Sequence, residues 1–353
     1  MKFNLKFLTL SLLLIFFSGC ESWKFYSQAS LGQIDILSRS EDITRLLAGQ
    51  QTPKLIRLKL EKILEIRAFA SEKLNLPVGD NFSEYVSIDG RHVLWNVYAS
   101  PRYSLSPLSW CFPFAGCVTY RGYFDEIDAR QYARGLEEKG FDTYVGGVRA
   151  YSTLGWFDDV VLSTVLQQSE EELAALIFHE LAHQVVYIPG DTQFNEGFAT
   201  TVEQEGLQLW LAEKNSASSS VILSRAKEAA ERRTDFVSLI LETREILREV
   251  YESGMEKEKM EERKRIIQKE LRIKYQSMKE GWGGYSGYDN WFSDGLNNAQ
   301  ISTVASYNNF VPGFKSIFIQ ENGEFLNFYE RIDELSKNSK AARNAFLNVP
   351  MLD

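Results

Sequence analysis

The segment 179–183 reads H-E-L-A-H inside an apolar run, and it constrains the fold more than any other part of the chain. In an α-helix, residues four apart lie one turn above each other, so His179 and His183 can present two imidazoles to one metal ion. Glu180 lies one position around the helix, within reach of a water molecule on that ion. The pattern therefore predicts a helix that carries a zinc site and its own general base.

The residues around this segment predict where the helix begins and ends. Ser169 and Glu172 have the spacing of a capping box, in which each side chain bonds the backbone of the other residue. Acidic residues fill the first turn, where the helix dipole favours negative charge. Apolar residues then repeat at helical spacing as far as Val185, and Pro189-Gly190 ends the pattern.

The third metal ligand is predicted from the scarcity of histidine, since the chain has only three and the third, His92, lies far upstream. A catalytic zinc takes three protein ligands and keeps one open position, so a carboxylate is the natural third ligand. Glu196 is the best candidate because it lies at or near the predicted start of a second helix, which runs through Trp210. Glu203 shares the face of Glu196 and is predicted to hydrogen-bond a ligating imidazole.

The two motifs H-E-L-A-H-Q at 179–184 and N-E-G-F-A at 195–199 resemble those of the gluzincin clan, specifically zinc aminopeptidases of the alanyl-aminopeptidase type. The resemblance implies that His179, His183 and Glu196 bind one Zn²⁺ ion and that Glu180 is the catalytic base. Most of the mature chain is also similar to a bacterial family called putative aminopeptidases. The stretches that carry this similarity are W-C-F-P at 110–113, Y-R-G-Y-F at 120–124, Y-V-G-G-V at 144–148 and W-F-D-D at 156–159.

Substrate recognition is where the sequence departs from the alanyl-type enzymes. Those enzymes use a G-x-M-E-N strand whose glutamate binds the substrate's free amino group, and no such motif is present here. Gly146 and Gly147 lie at a comparable place and are the candidate sheet edge along which a peptide substrate pairs. The resemblance implies an aminopeptidase. The alternatives are an envelope endopeptidase or other amide hydrolase, and a non-catalytic lipoprotein that holds zinc.

A group that stabilises the oxyanion is expected opposite the zinc ion. Related enzymes use a tyrosine or histidine downstream of the metal motifs, and the downstream candidates in this chain are Tyr285, Tyr288 and Tyr307. Tyr307 is preferred because its surroundings resemble the same bacterial family, and Tyr288 in a Gly-rich segment is second. With sixteen tyrosines in the chain, a packing role for Tyr307 is the alternative.

Residues 1–19 have the features of a lipoprotein signal peptide. A short basic region is followed by the apolar run 7–17, which is shorter than the roughly 20 residues of a transmembrane helix. F-S-G-C at 17–20 resembles a bacterial lipobox, so the mature chain is predicted to begin at Cys20, whose lipid anchors it to a membrane. The predicted location is the cell envelope, facing the periplasm, on either membrane. An ordinary cleaved signal is the alternative.

The two remaining cysteines, Cys111 and Cys117, are predicted to form a disulfide, because export places them in an oxidising space. Zinc binding by this pair is the alternative, but its spacing is wider than usual and no second pair exists. The net charge of −9 argues against a nucleic-acid partner.

The expected fold is α+β and mostly helical, with a gluzincin-like zinc-peptidase core made of a small sheet and the H-E-x-x-H helix. A charged helical hairpin is predicted to be solvated, with a protein-binding arm as the alternative. The apolar residues that are expected to form the buried face of the first segment are Leu55, Leu58, Leu60, Ile63, Leu64 and Ile66. The predicted segments are a helical one at 20–95, the core at 96–210, the hairpin at 211–280, and a helical one at 281–353 that completes the site.

Overall fold

The computed structural model describes residues 23–112, 116–151, 158–214, 219–293 and 295–348. Within these ranges the fold is α+β and mostly helical, which confirms the predicted class. The predicted signal peptide and Cys20 lie outside the described residues. The helices are α1 (23–38), α2 (Ile43–Ala48), α3 (Lys54–Leu74), α4 (Glu126–Glu137), α5 (Glu170–Ala182), α6 (Thr192–Glu213), α7 (Ser219–Glu252), α8 (Lys257–Gly281), α9 (Asp289–Ser293), α10 (Asn298–Asn308), α11 (Val311–Gln320), α12 (Phe325–Ser336) and α13 (Lys340–Leu347).

The strands form two three-stranded sheets and one two-stranded hairpin in the described ranges. The first sheet has the order β1-β2-β8, with β1 antiparallel and β8 parallel to β2. The second has the order β6-β3-β7 and is antiparallel throughout. Strands β4 and β5 pair with each other. The strands are β1 (Glu41–Asp42), β2 (Glu84–Val86), β3 (Leu94–Pro101), β4 (Trp110–Phe112), β5 (Gly116–Val118), β6 (Arg121–Tyr123), β7 (Phe141–Val148) and β8 (Val161–Leu162).

Helix α5 begins with the capping box that the sequence predicts. The Ser169 backbone N–H donates to Glu172 Oε2 over 2.8 Å, and the Glu172 N–H donates to Ser169 Oγ over 3.2 Å. The helix ends at Ala182, so Val185 lies beyond it and His183 occupies its C-cap position. Helix α6 begins at Thr192, a full turn before Glu196.

Helices α5 and α6 pack against each other at the centre of the largest hydrophobic cluster, which also contains residues of α3, α11, α12 and α13. Phe178 of α5 and Phe198 of α6 are fully buried. Burying each such side chain contributes about 1.5–3 kcal/mol. Gly206 lets the end of α3 approach α6, since a Cβ atom there would lie 2.7 Å from the Leu74 side chain.

The buried face of α3 differs from the predicted one in its first half. Leu55 and Leu58 are 71% and 52% exposed. The buried residues lie further along the helix, where Phe69 packs 5.8 Å, ring to ring, from Phe178. Ile56, which lies between Leu55 and Leu58 in sequence, is packed against the largest hydrophobic cluster, so Leu55 and Leu58 lie on the side of the helix that faces solvent. The buried residues of α3 are Leu60, Ile63, Ile66, Phe69, Ala70 and Leu74.

The second sheet has two chemically different faces. One packs on α4 through a small apolar cluster that includes Val97, Ala99 and Tyr123. On β3 and β7, alternation places Tyr98 and Tyr144 on the opposite face, where their rings stack with centroids 6.0 Å apart. Strand β3 runs from Leu94 to Pro101, across the position where the first two predicted segments meet.

Helices α7 and α8 form the charged hairpin, and one face of it is buried in a second hydrophobic cluster with α9 and α10. Lys264 of α8 is 4% exposed, and its Nζ donates to Asp142 Oδ2 of β7 over 2.5 Å. The same carboxylate oxygen accepts from the Asn298 N–H of α10 over 3.1 Å. A buried polar network therefore joins the hairpin to the sheet. None of the helices in the described ranges is both long and apolar enough to cross a membrane.

The C-terminal helix α13 is joined to the α5–α6 loop by a buried ion pair. Asp191 in the loop is 2% exposed and Arg343 of α13 is 6% exposed. Two guanidinium nitrogens of Arg343 donate to Asp191 Oδ2 over 2.6 and 3.2 Å. This pair fixes the loop immediately before α6.

Replacing Arg343 with Met is expected to lower the free energy of unfolding by about 3 kcal/mol, because it leaves the buried Asp191 carboxylate with only the exposed Lys340 as an ionic partner. Urea titration of the purified chain measures this loss. Lys337→Met is the matched control, since it removes an ion pair with Asp333 whose side chains are 68% and 59% exposed. The control is expected to leave the unfolding midpoint almost unchanged. Equal shifts in the two variants would contradict the buried role of Arg343.

Candidate metal centre

Two helices bring the three predicted metal ligands together. Helix α5 carries His179 in its last turn and His183 just after its end, and α6 carries Glu196 in its second turn. One potential ligand atom from each lies within 4.8 Å of the other two. Glu196 Oε2 is 3.3 Å from His179 Nε2 and 3.9 Å from His183 Nε2. The three groups therefore converge on one point, with the geometry that a single ion needs.

Glu203 lies about two turns after Glu196 on the same face of α6, as its spacing from Glu196 predicts. Its Oε2 is 3.0 Å from His179 Nδ1, on the other side of that ring from Glu196. Its Oε1 accepts a 2.6 Å hydrogen bond from Nη1 of Arg233 on α7. The imidazole of His179 is therefore held between two carboxylates, one of which is tied to a guanidinium group from the hairpin.

Asn195, the residue before Glu196, closes the loop between the two motifs. Its side chain accepts from the Ile188 N–H over 2.8 Å and donates to the Ile188 carbonyl over 2.8 Å. Asn195 is 2% exposed. These paired bonds make the tight connection that the short distance between the motifs requires. Sequence reasoning included Asn195 in the motif but assigned it no role, and its place beside a predicted ligand was the available signal.

The disulfide hairpin β4–β5 packs against the same loop. Cys111 and Cys117 are joined in a disulfide, as the sequence predicts. Gly116 has a φ of +71°, and a Cβ atom there would lie 2.7 Å from the Gly190 nitrogen. A side chain at this position would push the hairpin off the loop. The cross-linked hairpin thus supports the loop that separates the metal motifs.

The charges at the site fit a bound cation. Burial lowers the pKa of His183 to about 4, which leaves a neutral imidazole with a lone pair for a metal. Burial also opposes a charge on His179, but hydrogen bonds to Glu196 and Glu203 raise its pKa well above the ordinary value. In the described part of the chain, the buried His183 Nδ1 has no hydrogen-bond partner. Two imidazoles and a carboxylate are a ligand set that suits Zn²⁺.

Glu180 is the fourth residue of the predicted chemistry. Burial raises its pKa to about 8, and the negative charges of Asp159, Glu196 and Glu203 add to this rise against the opposing effect of His179. Several carboxylates therefore share a space with little water. A dication beside them would offset that repulsion and favour the ionised form of Glu180.

Two tyrosines that sequence reasoning missed lie in the electrostatic field of the site. Burial raises the pKa of the Tyr120 phenol, and the charges of Glu196 and Glu180 raise it further. Burial and Glu196 likewise raise the pKa of Tyr187. The predicted Tyr307 belongs to α10, and its side chain lies outside the described part of the structure. Tyr120 begins the Y-R-G-Y-F stretch that resembles the bacterial family, and this was the available signal, but its position relative to the ligands depends on how the sheet packs.

Gly146 and Gly147 lie in β7, which is an edge strand of the second sheet. A Cβ atom at Gly146 would lie 3.2 Å from the Tyr144 ring. At Gly147 it would lie 2.6 Å from the His92 ring, so packing against His92 also requires a glycine there. The edge position agrees with a peptide-pairing strand, while the contact to His92 gives Gly147 a packing role as well.

Comparison with known proteins identifies the family of the chain. No curated protein and no solved structure matches the chain. The sequence profile of the family described as putative aminopeptidase matches residues 24–347, which is most of the chain and includes both metal motifs. The chain therefore belongs to the putative aminopeptidase family.

Proposed function

We propose that the protein is a zinc-dependent aminopeptidase in which His179, His183 and Glu196 hold the ion and Glu180 is the general base. The observation that carries the proposal is the convergence of the three ligand atoms within 4.8 Å, with Glu180 next to the first of them. Family membership supports peptide-bond hydrolysis. The His179 and Glu196 side chains are 15% and 13% exposed, so the site is mostly buried but solvent can still reach it.

A bound Zn²⁺ supplies Lewis acidity, which lowers the pKa of water to about 7 and polarises a carbonyl group. Glu180 moves the protons: its carboxylate accepts one from the attacking water and then donates it to the leaving amine. Burial raises the pKa of Glu180 to about 8 in the chain without a metal, and a dication beside it would favour the ionised form, which is the one that accepts a proton. Glu203 accepts a hydrogen bond from the Nδ1–H of His179. The lone pair on Nε2 would then be available to the ion.

Tyr120 is the candidate hydrogen-bond donor to the developing oxyanion. This proposal is supported by the charges of Glu196 and Glu180, which raise the pKa of its phenol after burial has done so. Burial keeps the phenol protonated, which is the form that donates. Tyr187 is a second candidate. Tyr307, which the family resemblance suggests, is a third candidate for the same role.

We also propose that the protein is anchored to the cell envelope by a lipid on Cys20 and faces the periplasm. The disulfide between Cys111 and Cys117 supports this location, because structural disulfides form and persist in oxidising compartments. The charged hairpin remains the proposed surface for a protein partner.

Glu180→Gln is expected to reduce kcat/KM at least about 100-fold, because it removes the group that transfers protons. The assay compares free and N-acetylated peptides by mass spectrometry, and metal analysis shows that the variant still holds one zinc ion. The wild type is expected to release amino-terminal residues from free peptides and to spare the acetylated ones. Undiminished activity of the variant, or no cleavage by the wild type, would contradict the proposal. Internal cleavage of acetylated peptides would instead favour the endopeptidase alternative.

Tyr120→Phe is expected to lower kcat about 100-fold with little change in metal content, because the oxyanion loses one donor. Tyr132→Phe is the matched control, since the Tyr132 hydroxyl accepts from Trp110 Nε1 over 2.7 Å on the α4 side of the sheet. The control is expected to keep its activity. Equal kcat values for the wild type and Tyr120→Phe would exclude Tyr120 from the reaction.

Cys20→Ser is expected to move the protein from the membrane fraction of cells to the soluble periplasmic fraction, since it removes the residue that is lipidated. Immunoblotting of fractionated cells measures the distribution. Cys111→Ser serves as the control, because it removes another cysteine and leaves the proposed anchor intact. A Cys20→Ser protein that stays with the membrane would show that the lipid is not the anchor.

A further inference from the structure

Arg233 of the α7–α8 hairpin contacts Glu203, the carboxylate that holds the His179 ring. It lies on α7, while the ligands lie on α5 and α6. The contact is a 2.6 Å charge-assisted hydrogen bond from Nη1 to Glu203 Oε1. The Glu203 side chain is 14% exposed and that of Arg233 is 41% exposed, so the pair sits at the border of the enclosed site.

The two oxygens of Glu203 have separate tasks. Oε2 is 3.0 Å from His179 Nδ1, and Oε1 is 2.6 Å from Arg233 Nη1. A carboxylate on a glutamate side chain rotates easily about its last bond, and a second fixed partner removes that freedom. Arg233 therefore fixes the plane of the carboxylate that orients the His179 ring.

The orientation of the His179 ring matters because Nδ1 and Nε2 face different partners, Glu203 and Glu196. With the Nδ1 proton held by Glu203, Nε2 faces Glu196 at 3.3 Å. Partners of this kind select the tautomer and direction of a ligating imidazole, and their loss typically weakens metal binding about 10–100-fold. A loosened Glu203 would let the ring turn away from the other two ligands.

The hairpin itself holds Arg233 in place. One turn further along α7, Phe236 stacks on Tyr288 with ring centroids 4.2 Å apart. Asp235 accepts a 2.9 Å hydrogen bond from Trp282 Nε1. Tyr288 and Trp282 both belong to the segment that follows α8. This segment therefore packs against the part of α7 that carries Arg233.

We infer that Arg233 is a positioning residue of the metal centre, which acts on His179 through Glu203 and makes the hairpin part of the site. The inference rests on the proposed zinc-dependent function. It gives the hairpin a role at the metal centre, whereas the sequence pattern predicts a solvated or partner-binding arm. The inner turns of α7 then determine metal affinity, whatever the outer face of α8 contacts.

The test is the zinc affinity of the purified full chain, measured by competition with a chelating indicator dye. Arg233→Met is expected to weaken zinc binding about tenfold, the lower end of the range for residues that support a ligand. The control is Arg248→Met on the same helix, because Arg248 forms a surface ion pair with the exposed Glu245. The control is expected to bind zinc as the wild type does. An unchanged affinity in Arg233→Met would overturn the inference.

A double-variant cycle separates positioning from general stability. If Arg233 acts through Glu203, then Arg233→Met in a Glu203→Gln background is expected to cause no further loss of affinity. The same tenfold loss in that background would overturn the inference, because the effect would not pass through Glu203. Failure of the wild-type chain to bind zinc at all would refute the proposed function instead.

Arg233→Lys keeps the test decisive if Arg233→Met does not fold. Because a single guanidinium nitrogen makes the contact, a point charge on a long stem can replace it. This variant is expected to bind zinc within about threefold of the wild type, a smaller loss than that typical of residues supporting a ligand. A lysine variant that folds with a normal thermal midpoint and yet loses tenfold or more in affinity would overturn the role of charge at this position.

Discussion

The packing of α5 against α6 is the contact on which the candidate site depends. The H-E-x-x-H motif can supply only two ligands, and the third reaches the same point because Phe178, Phe194 and Phe198 bury these helices in one core. The Asn195 clamp on Ile188 sets the length of the loop between them. An error of one residue in that loop would rotate Glu196 by about 100° around its helix and remove it from the ligand set.

The site also gathers several buried carboxylates, whose charges act on the other titratable groups. Glu180, Glu196 and Glu203 lie close together, and the cationic groups beside them are Arg233 and the imidazole of His179, whose pKa Glu196 and Glu203 raise. Buried carboxylates without compensation are costly, so proteins pair them, protonate them or bind a metal. Burial raises the pKa of Glu180, the nearby carboxylates raise it further, and one divalent ion would offset their repulsion. Electrostatics and ligand geometry therefore lead to the same proposal.

The parts that sequence predicted well are those that local spacing determines. The capping box at Ser169, the shared face of Glu196 and Glu203, and the loop disulfide all depend on residues a few positions apart. Arg233 could not be predicted in this way, because it meets Glu203 only through the tertiary arrangement in which α6 and α7 both pack on α10. Tyr120 reaches the site through the position of the second sheet, and the Y-R-G-Y-F stretch that contains it does not show which of its side chains faces the ligands. Leu55 and Leu58 were misassigned because they flank the buried face of α3, and periodicity does not show which flank of an apolar stripe meets the core.

The most direct test of the proposed centre is the zinc K-edge X-ray absorption spectrum of the full chain loaded with one equivalent of Zn²⁺. The account predicts nitrogen and oxygen ligands at about 2.0–2.2 Å, with the scattering pattern of two imidazoles. Replacement of His183 with Ala is expected to remove one of these imidazole contributions. Sulfur ligands at about 2.3 Å, or a spectrum without imidazole, would contradict the assignment of His179, His183 and Glu196.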